Sequence, residues 1–177
     1  MSEELTFSLI EAHQYFAKLT NHQIWDLLEN PERSTLDNED LLLAAYASIY
    51  HWKQVGTAVH IQRGYWMLSR VYIALGKSED ALNWAIKCQE ISVKKTEDME
   101  DFDLAFAQEG LARAYALAKK RDLAKNHLSQ AILLGEQIED PEDRQIFQDD
   151  LNGGDWYQLG LLHRRTWDWF SRIGMPE

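Results

Sequence analysis

Cysteine and proline are scarce in this 177-residue chain, which has one of the first and three of the second. A single cysteine excludes an intramolecular disulfide and a zinc site that needs several thiolates. We expect this residue, Cys88, to be a small buried apolar side chain. Few prolines favour helices, and no long stretch shows the alternation of apolar and polar residues that marks a half-buried strand. The sequence therefore predicts an all-α fold in one domain, 1–177.

The short motifs of common active sites are also missing. The sequence contains no HExxH, CxxC or GxSxG, no glycine-rich phosphate loop, and no two histidines three or four residues apart. We expect the adjacent acids Asp149 and Asp150 to lie on a solvated helix face rather than to act as an acid–base pair. The sequence therefore predicts a protein that is not an enzyme, with no catalytic residue, no metal site and no cofactor.

Acidic residues dominate, and the formal net charge is −11 at neutral pH. Nucleic acids and anionic membranes attract basic surfaces, so neither is an expected partner. Residues 1–50 carry 2 basic and 9 acidic side chains, whereas residues 51–93 carry 5 and 3. This mildly basic middle is a hint that an anionic group docks there. The acidic N-terminus is unlike a signal peptide, and no apolar run is long enough to cross a bilayer, so we expect a cytoplasmic protein.

Two segments share one pattern of paired helices. In each, large apolar residues at helical spacing precede a turn, and small residues on a second helix follow it, so that the two helices can approach closely. The first segment has a glycine at its turn, where a residue without a Cβ ends a helix cheaply. Lys119 stands at the corresponding place in the second. The matching positions are Leu68, Ser69, Tyr72, Gly76, Ala81, Ala85 and Cys88 in the first segment and Leu111, Ala112, Tyr115, Ala124, Leu128 and Ala131 in the second.

This pattern resembles the tetratricopeptide repeat (TPR), and the chain is similar to small uncharacterised bacterial TPR-like proteins. The resemblance implies a right-handed α-α superhelix, a TPR-like solenoid of about seven to eight helices. The expected parts are a degenerate helical pair over 6–54, hairpins over 57–93 and 101–138, and a capping helix with an aromatic tail over 141–177.

The first helical pair carries finer expectations. We predict a helix from about residue 6 to 29, with a possible break at Thr20, and with Phe7, Ile10, Phe16, Leu19, Trp25 and Leu28 buried. The second helix is apolar on most sides and is therefore expected to be central and covered twice. The acidic run at 96–103 is expected to be a solvated link that leads into the fifth helix.

In TPR proteins the first helix of each hairpin lines a concave groove that binds peptides. The resemblance places Arg63, Trp66, Arg70 and Ile73, and Phe106, Glu109, Arg113 and Ala116, in that groove. Arg70 and Arg113 occupy equivalent positions, so together they could clamp a carboxylate or phosphate. Trp66 and Phe106 would supply an apolar anchor. The alternative is that both arginines pair with Glu109 or with other acids of the chain.

Three functions remain open. The favoured one is a non-catalytic protein-interaction module that binds an acidic or C-terminal peptide segment, or a small anionic ligand, in the groove. The second is a small-molecule sensor or enzyme with a pocket formed by His13, Tyr50 and His51. The third is a structural homodimer joined through residues 155–177, whose aromatic stripe could instead cap the solenoid or lie in the groove. The stripe comprises Trp156, Leu159, His163, Trp167 and Phe170.

Overall fold

The computed structural model describes residues 8–153 and 156–157, and this part of the chain folds into helices without a strand. It contains seven α-helices and one short 3-10 turn at Thr96–Asp98. The helices are α1 (Leu9–Glu29), α2 (Thr35–Val55), α3 (Ala58–Ala74), α4 (Ser78–Lys94), α5 (Asp101–Leu117), α6 (Arg121–Glu136) and α7 (Pro141–Asn152). The predicted all-α class is confirmed for these residues.

Local sequence signals set where several helices begin. Ser8 forms a capping box with Glu11 at the start of α1, and Ser34 forms one with Asp37 at the start of α2. These reciprocal hydrogen bonds satisfy N–H groups that a helix cannot pair internally. Asp140 caps α7 through its side chain, and Pro141 follows it in the first turn, where its missing N–H leaves no helical hydrogen bond unmade.

Both repeated segments are helix pairs. α3 packs against α4, and α5 packs against α6. Gly76 has a φ of +70°, and Lys119 has a φ of +61° at the matching turn. Both turns therefore use the left-handed conformation, although only one has the residue that adopts it without strain. Across the first pair, the buried Ser69 hydroxyl donates to the Ala81 carbonyl at 3.0 Å, because the small side chains allow close approach.

Contacts between helices of different pairs position the candidate site. α1 packs against α2, α2 against α3, and α4 against α5. In addition, α5 contacts both α3 and α7. α7 approaches α6 closely at Gly135, where an added Cβ would lie 2.2 Å from the Phe147 ring. One core cluster holds buried residues of α1–α4 and extends into α5 through Leu111 and Ala114.

The first helical pair differs from the prediction. α1 is unbroken, and Ile10, Phe16 and Leu19 are exposed by 61%, 45% and 48%. α2 is not covered twice, since Leu43 is 67% exposed. The reason is that α1 and α3 cover one side of α2 and leave its outer side open. Trp25 and Leu28 do pack against the core, and Phe7 lies outside the described residues.

Two further features concern single residues. Asp103 belongs to the acidic run that was expected to be solvated, yet it is 2% exposed because it pairs with an arginine described below. Cys88 is buried as predicted, and burial raises the pKa of its thiol. Of the helices described, none has both the length and the apolar character needed to cross a membrane.

Candidate ligand-binding cavity

Arg70 of α3 reaches across to α7. Its Nη1 donates a hydrogen bond to Asp150 Oδ2 at 2.7 Å, and its Nη2 donates to the other carboxylate oxygen. The two side chains are 25% and 19% exposed. Burial opposes the charge on Arg70, but the hydrogen bonds to Asp150 and the charge of Glu109 outweigh it, so the pKa of Arg70 is raised. Asp150 is therefore an ion-pair partner and not the solvated acid that was expected.

Arg113 of α5 lies deeper and meets the same part of α7. Its Nε donates to Glu109, one turn earlier on the helix, and Nη2 donates to the Asp150 carbonyl at 2.7 Å and the Gly153 carbonyl at 3.2 Å. The negative end of a helix dipole favours such a cation. The Trp156 ring lies 4.2 Å from the guanidinium. Arg113 and Glu109 are 5% and 1% exposed, so this pair is part of the interior.

The two equivalent arginines thus converge on one residue of α7. This matches the alternative that the sequence left open, in which both pair with acids of the chain. Trp66 joins the same network, because its indole N–H points at Glu109 at 3.4 Å. α7 occupies the place where a ligand carboxylate would meet Arg70.

A cavity of about 500 Å³ lies beside this network, between α1, α2, α3, α5 and α7. Aromatic rings form much of its wall. Trp66 is central, with the Trp25 ring 6.1 Å away on one side and the Phe106 ring 5.2 Å away on the other. Trp52 and Phe102 complete the aromatic wall. This volume falls in the range of pockets that hold small ligands or a large peptide side chain.

Two cations, Lys18 and Arg63, and the ring of His60 lie together at one edge of the cavity, the positive edge. Lys18 comes from α1, and His60 and Arg63 come from α3. Arg63 donates to both oxygens of Asp103 at 2.7 and 2.9 Å, and its side chain remains 46% exposed. Within the described residues, no carboxylate forms an ion pair with Lys18. The two acids of the wall, Asp103 and Asp150, are each held by an arginine.

The nearby cations affect the pKa of His60. Its ring packs on the Trp52 ring at 4.1 Å, and its Nδ1 accepts a hydrogen bond from the Thr57 N–H at 3.2 Å. Burial lowers the pKa of His60, and the charges of Arg63 and Lys18 lower it further. Because Arg63 and Lys18 are both cations, an anion bound beside them would reduce their mutual repulsion.

The residues of the second predicted pocket do lie together. His13 of α1 and His51 of α2 approach to 2.8 Å between their Nδ1 atoms, and the Tyr50 ring lies 6.3 Å from the His13 ring. None of the three lines the cavity. Across residues 8–153 and 156–157, this pair included, no three His, Cys, Asp or Glu side chains gather in a group that could hold a metal ion.

The predicted groove residues divide into two groups. Arg63, Trp66 and Phe106 line the cavity, whereas Arg70, Glu109 and Arg113 form the ion-pair network beside it. Ile73 and Ala116 are buried in the core and not in a groove, which corrects the prediction for these two. Sequence reasoning missed Lys18, His22 and Trp25 of α1. A signal for them existed, since residues four and then three positions apart share one helix face. The aromatic tail beyond Tyr157 lies outside the described residues, but Trp156 is buried and donates its indole N–H to the Leu151 carbonyl at 3.2 Å.

The chain matches no family model, no curated protein and no solved structure.

Proposed function

We propose that this protein is a non-catalytic binding module, and that its cavity takes a peptide segment with an acidic group next to an apolar side chain. The observation that carries the proposal is the combination of an aromatic wall with a positive edge in a chain of net charge −11. The wall and edge belong mainly to α1, α3 and α5. We regard these as the inner helices of a right-handed superhelix of the TPR type.

The positive edge would bind the acidic group. Lys18 is exposed and has no carboxylate partner among the described residues, and Arg63 keeps its outer side exposed while Asp103 holds its inner side. Neutral His60, whose Nδ1 accepts from the Thr57 N–H, carries its proton on Nε2 and would add a third donor. Charge-assisted hydrogen bonds to a carboxylate are about twice as strong as neutral ones. This edge replaces Arg70 and Arg113 as the anion site, because the chain's own Asp150 already occupies those arginines.

The aromatic wall would bind the apolar group. Trp66 sits at its centre, in contact with Trp25 and Phe106. Aromatic residues in well-packed pockets carry most of the binding energy at many interfaces. Gly110 keeps room for the Trp66 ring, since a Cβ there would lie 3.2 Å from Trp66 Cδ1. Gly110, and Arg70 with its guanidinium 5.1 Å from the ring centre, therefore hold Trp66 where it lines the cavity.

A peptide selection tests the proposal. Random heptapeptides displayed on phage would be selected on the immobilised full-length chain, and bound sequences counted after several rounds. We expect enrichment of peptides that combine Asp or Glu with Trp, Phe, Tyr or Leu. The enriched peptides should lose binding on Lys18→Gln and keep it on Lys125→Gln, which removes an exposed charge from α6. Failure to enrich such peptides, or equal binding to both variants, would overturn the proposal.

A further inference from the structure

His13 and His51 form an unusual pair on the edge of α1 and α2. Their Nδ1 atoms lie 2.8 Å apart, and their ring centroids are separated by 5.0 Å. Two imidazole lone pairs repel each other at this distance. One ring must therefore donate its Nδ1–H to the Nδ1 of the other, or a metal ion must stand in place of that proton. The pair comes from positions 38 residues apart, so no local motif could reveal it.

The separation fits a metal ion as well as it fits a proton. Metal–nitrogen bonds to histidine are about 2.0 Å long. Adjacent ligands at a right angle then lie about 2.8 Å apart, whereas a tetrahedral ion requires about 3.3 Å. Tetragonal coordination by nitrogen and oxygen is typical of Cu²⁺ and Ni²⁺. The separation is compatible with such a site, and nitrogen ligands bind Cu²⁺ most tightly among the divalent ions of this series.

We propose that His13 and His51 together bind one divalent transition-metal ion through their Nδ1 atoms, Cu²⁺ or Ni²⁺ in preference to Zn²⁺. The remaining coordination positions are open to water or to a ligand from a second molecule. This site is separate from the aromatic cavity, because neither histidine lines that cavity.

The surroundings hold the pair in place for this role. Phe16 stacks on the His51 ring with centroids 5.5 Å apart, and Tyr50 packs against it edge-on at 5.4 Å. One turn away, the buried Ser48 hydroxyl donates to the Ala17 carbonyl at 2.9 Å and fixes the register of α1 against α2. A site whose ligands are already oriented loses less entropy when the ion binds.

Both rings are only partly buried, so an ion can reach them from solvent.

Calorimetric titration of the full-length, tag-free chain with CuCl₂, NiCl₂ and ZnCl₂ tests the site. We expect saturable binding of one ion per chain, or one per two chains where two copies share an ion, with Cu²⁺ and Ni²⁺ tighter than Zn²⁺. His13→Ala and His51→Ala should each weaken binding at least about 100-fold, since loss of a ligand costs more than loss of its supporting contacts. His127→Ala, which removes a partly buried histidine from α6, should leave binding unchanged.

Electron paramagnetic resonance of the Cu²⁺ complex gives an independent readout. We expect nitrogen hyperfine structure from two imidazoles, reduced to one in either single variant. Circular dichroism of each variant would show whether the helices persist, and His13→Asn provides a second, more conservative change. No binding, or binding that survives loss of both histidines, would mean that the pair shares a proton only and would overturn the proposal.

Discussion

The carboxylate of Asp150 accepts two hydrogen bonds from Arg70, which lies 80 residues earlier in the chain. The carbonyl of the same residue accepts a third hydrogen bond, from Arg113. One residue of α7 therefore joins the two hairpins that the sequence pattern identified. This arrangement closes off one anion site and leaves the positive edge near Lys18 as the open one. Arg70 and Arg113 therefore stabilise the fold, and Lys18 and Arg63 are the cations proposed to bind a ligand.

Asp150→Asn should destabilise the fold because it leaves the charge of Arg70, which is largely buried, without its partner. We expect a loss of about 1–3 kcal/mol, less than for a fully buried ion pair because both side chains keep some exposure. Urea denaturation followed by circular dichroism measures it. Asp149→Asn is the matched control, since that side chain is exposed and accepts only from Gln145 at 2.8 Å. Equal effects of the two changes would contradict the role of Asp150.

At both turns with positive φ, glycine should be more favourable than a residue with a Cβ, so removing it at one turn and adding it at the other should change stability in opposite directions. Gly76→Ala should destabilise the protein by about 1 kcal/mol, because a Cβ strains the left-handed conformation although the space around it is open. Lys119→Gly should stabilise it by up to about 1 kcal/mol, since the strain at its φ of +61° is removed. Thermal or urea unfolding measures both. Destabilisation by Lys119→Gly would show that its side chain contributes more than the strain costs.

These turns show how far the sequence determines the fold. Small residues such as Ala81 and Ala85 and the turn at Gly76 are local features, and they were sufficient to predict both helix pairs. The open outer side of α2 was not predictable, because hydrophobicity alone does not tell whether a neighbouring helix exists to cover Leu43. An amphipathic pattern identifies a helix face but not its partner.

The candidate site was predictable only in part for the same reason. Trp66 and Phe106 were found because each falls at a groove position on the first helix of its repeat. Glu109, the partner of Arg113, was named as a candidate, but Asp150 was not, because it lies far away in sequence and belongs to a helix outside the repeats. Asp103 looked like part of a solvated acidic run, and only the packing of α5 against α3 shows that it faces Arg63.

Stability should fall in mildly acidic solution because of His127. Burial lowers the pKa of His127 below its ordinary value of 6.5, and the ring packs flat on Tyr115 and bonds Gln108 Oε1 at 2.7 Å. A lowered pKa means that the unfolded chain binds the proton more tightly. The stability contribution is therefore complete above pH 6.5 and is lost as the pH falls from 6.5 through the lower folded pKa. Below that pKa the loss stays constant.

Urea unfolding at several pH values between 7.5 and 5 measures this effect. His127→Gln should flatten the decline, because a group that cannot titrate contributes no pH dependence in this range. His51 and His60 also have lowered pKa values, so some decline should remain in the variant. An unchanged slope in His127→Gln would contradict the assignment.

The thiol of Cys88 should be inert in the folded protein. It is 1% exposed, and burial raises its pKa, so neither access nor thiolate formation favours reaction. Native protein should react with a chromogenic disulfide reagent no faster than it unfolds, whereas protein in high urea should react at once. Rapid stoichiometric reaction of the native chain would contradict the packing of α4.

The proposed division of the cavity into an aromatic wall and a positive edge is tested most directly with two small probes. N-acetyl-tryptophan carries an indole and a carboxylate, and N-acetyl-tryptophanamide carries the same indole without the charge. In a nuclear magnetic resonance titration, the acid should shift the signals of Trp66, Trp25 and His60 and bind several-fold more tightly than the amide. Lys18→Gln should reduce this preference, and Lys125→Gln should not. Equal affinity for the two probes, or shifts confined to residues away from the cavity, would contradict the account.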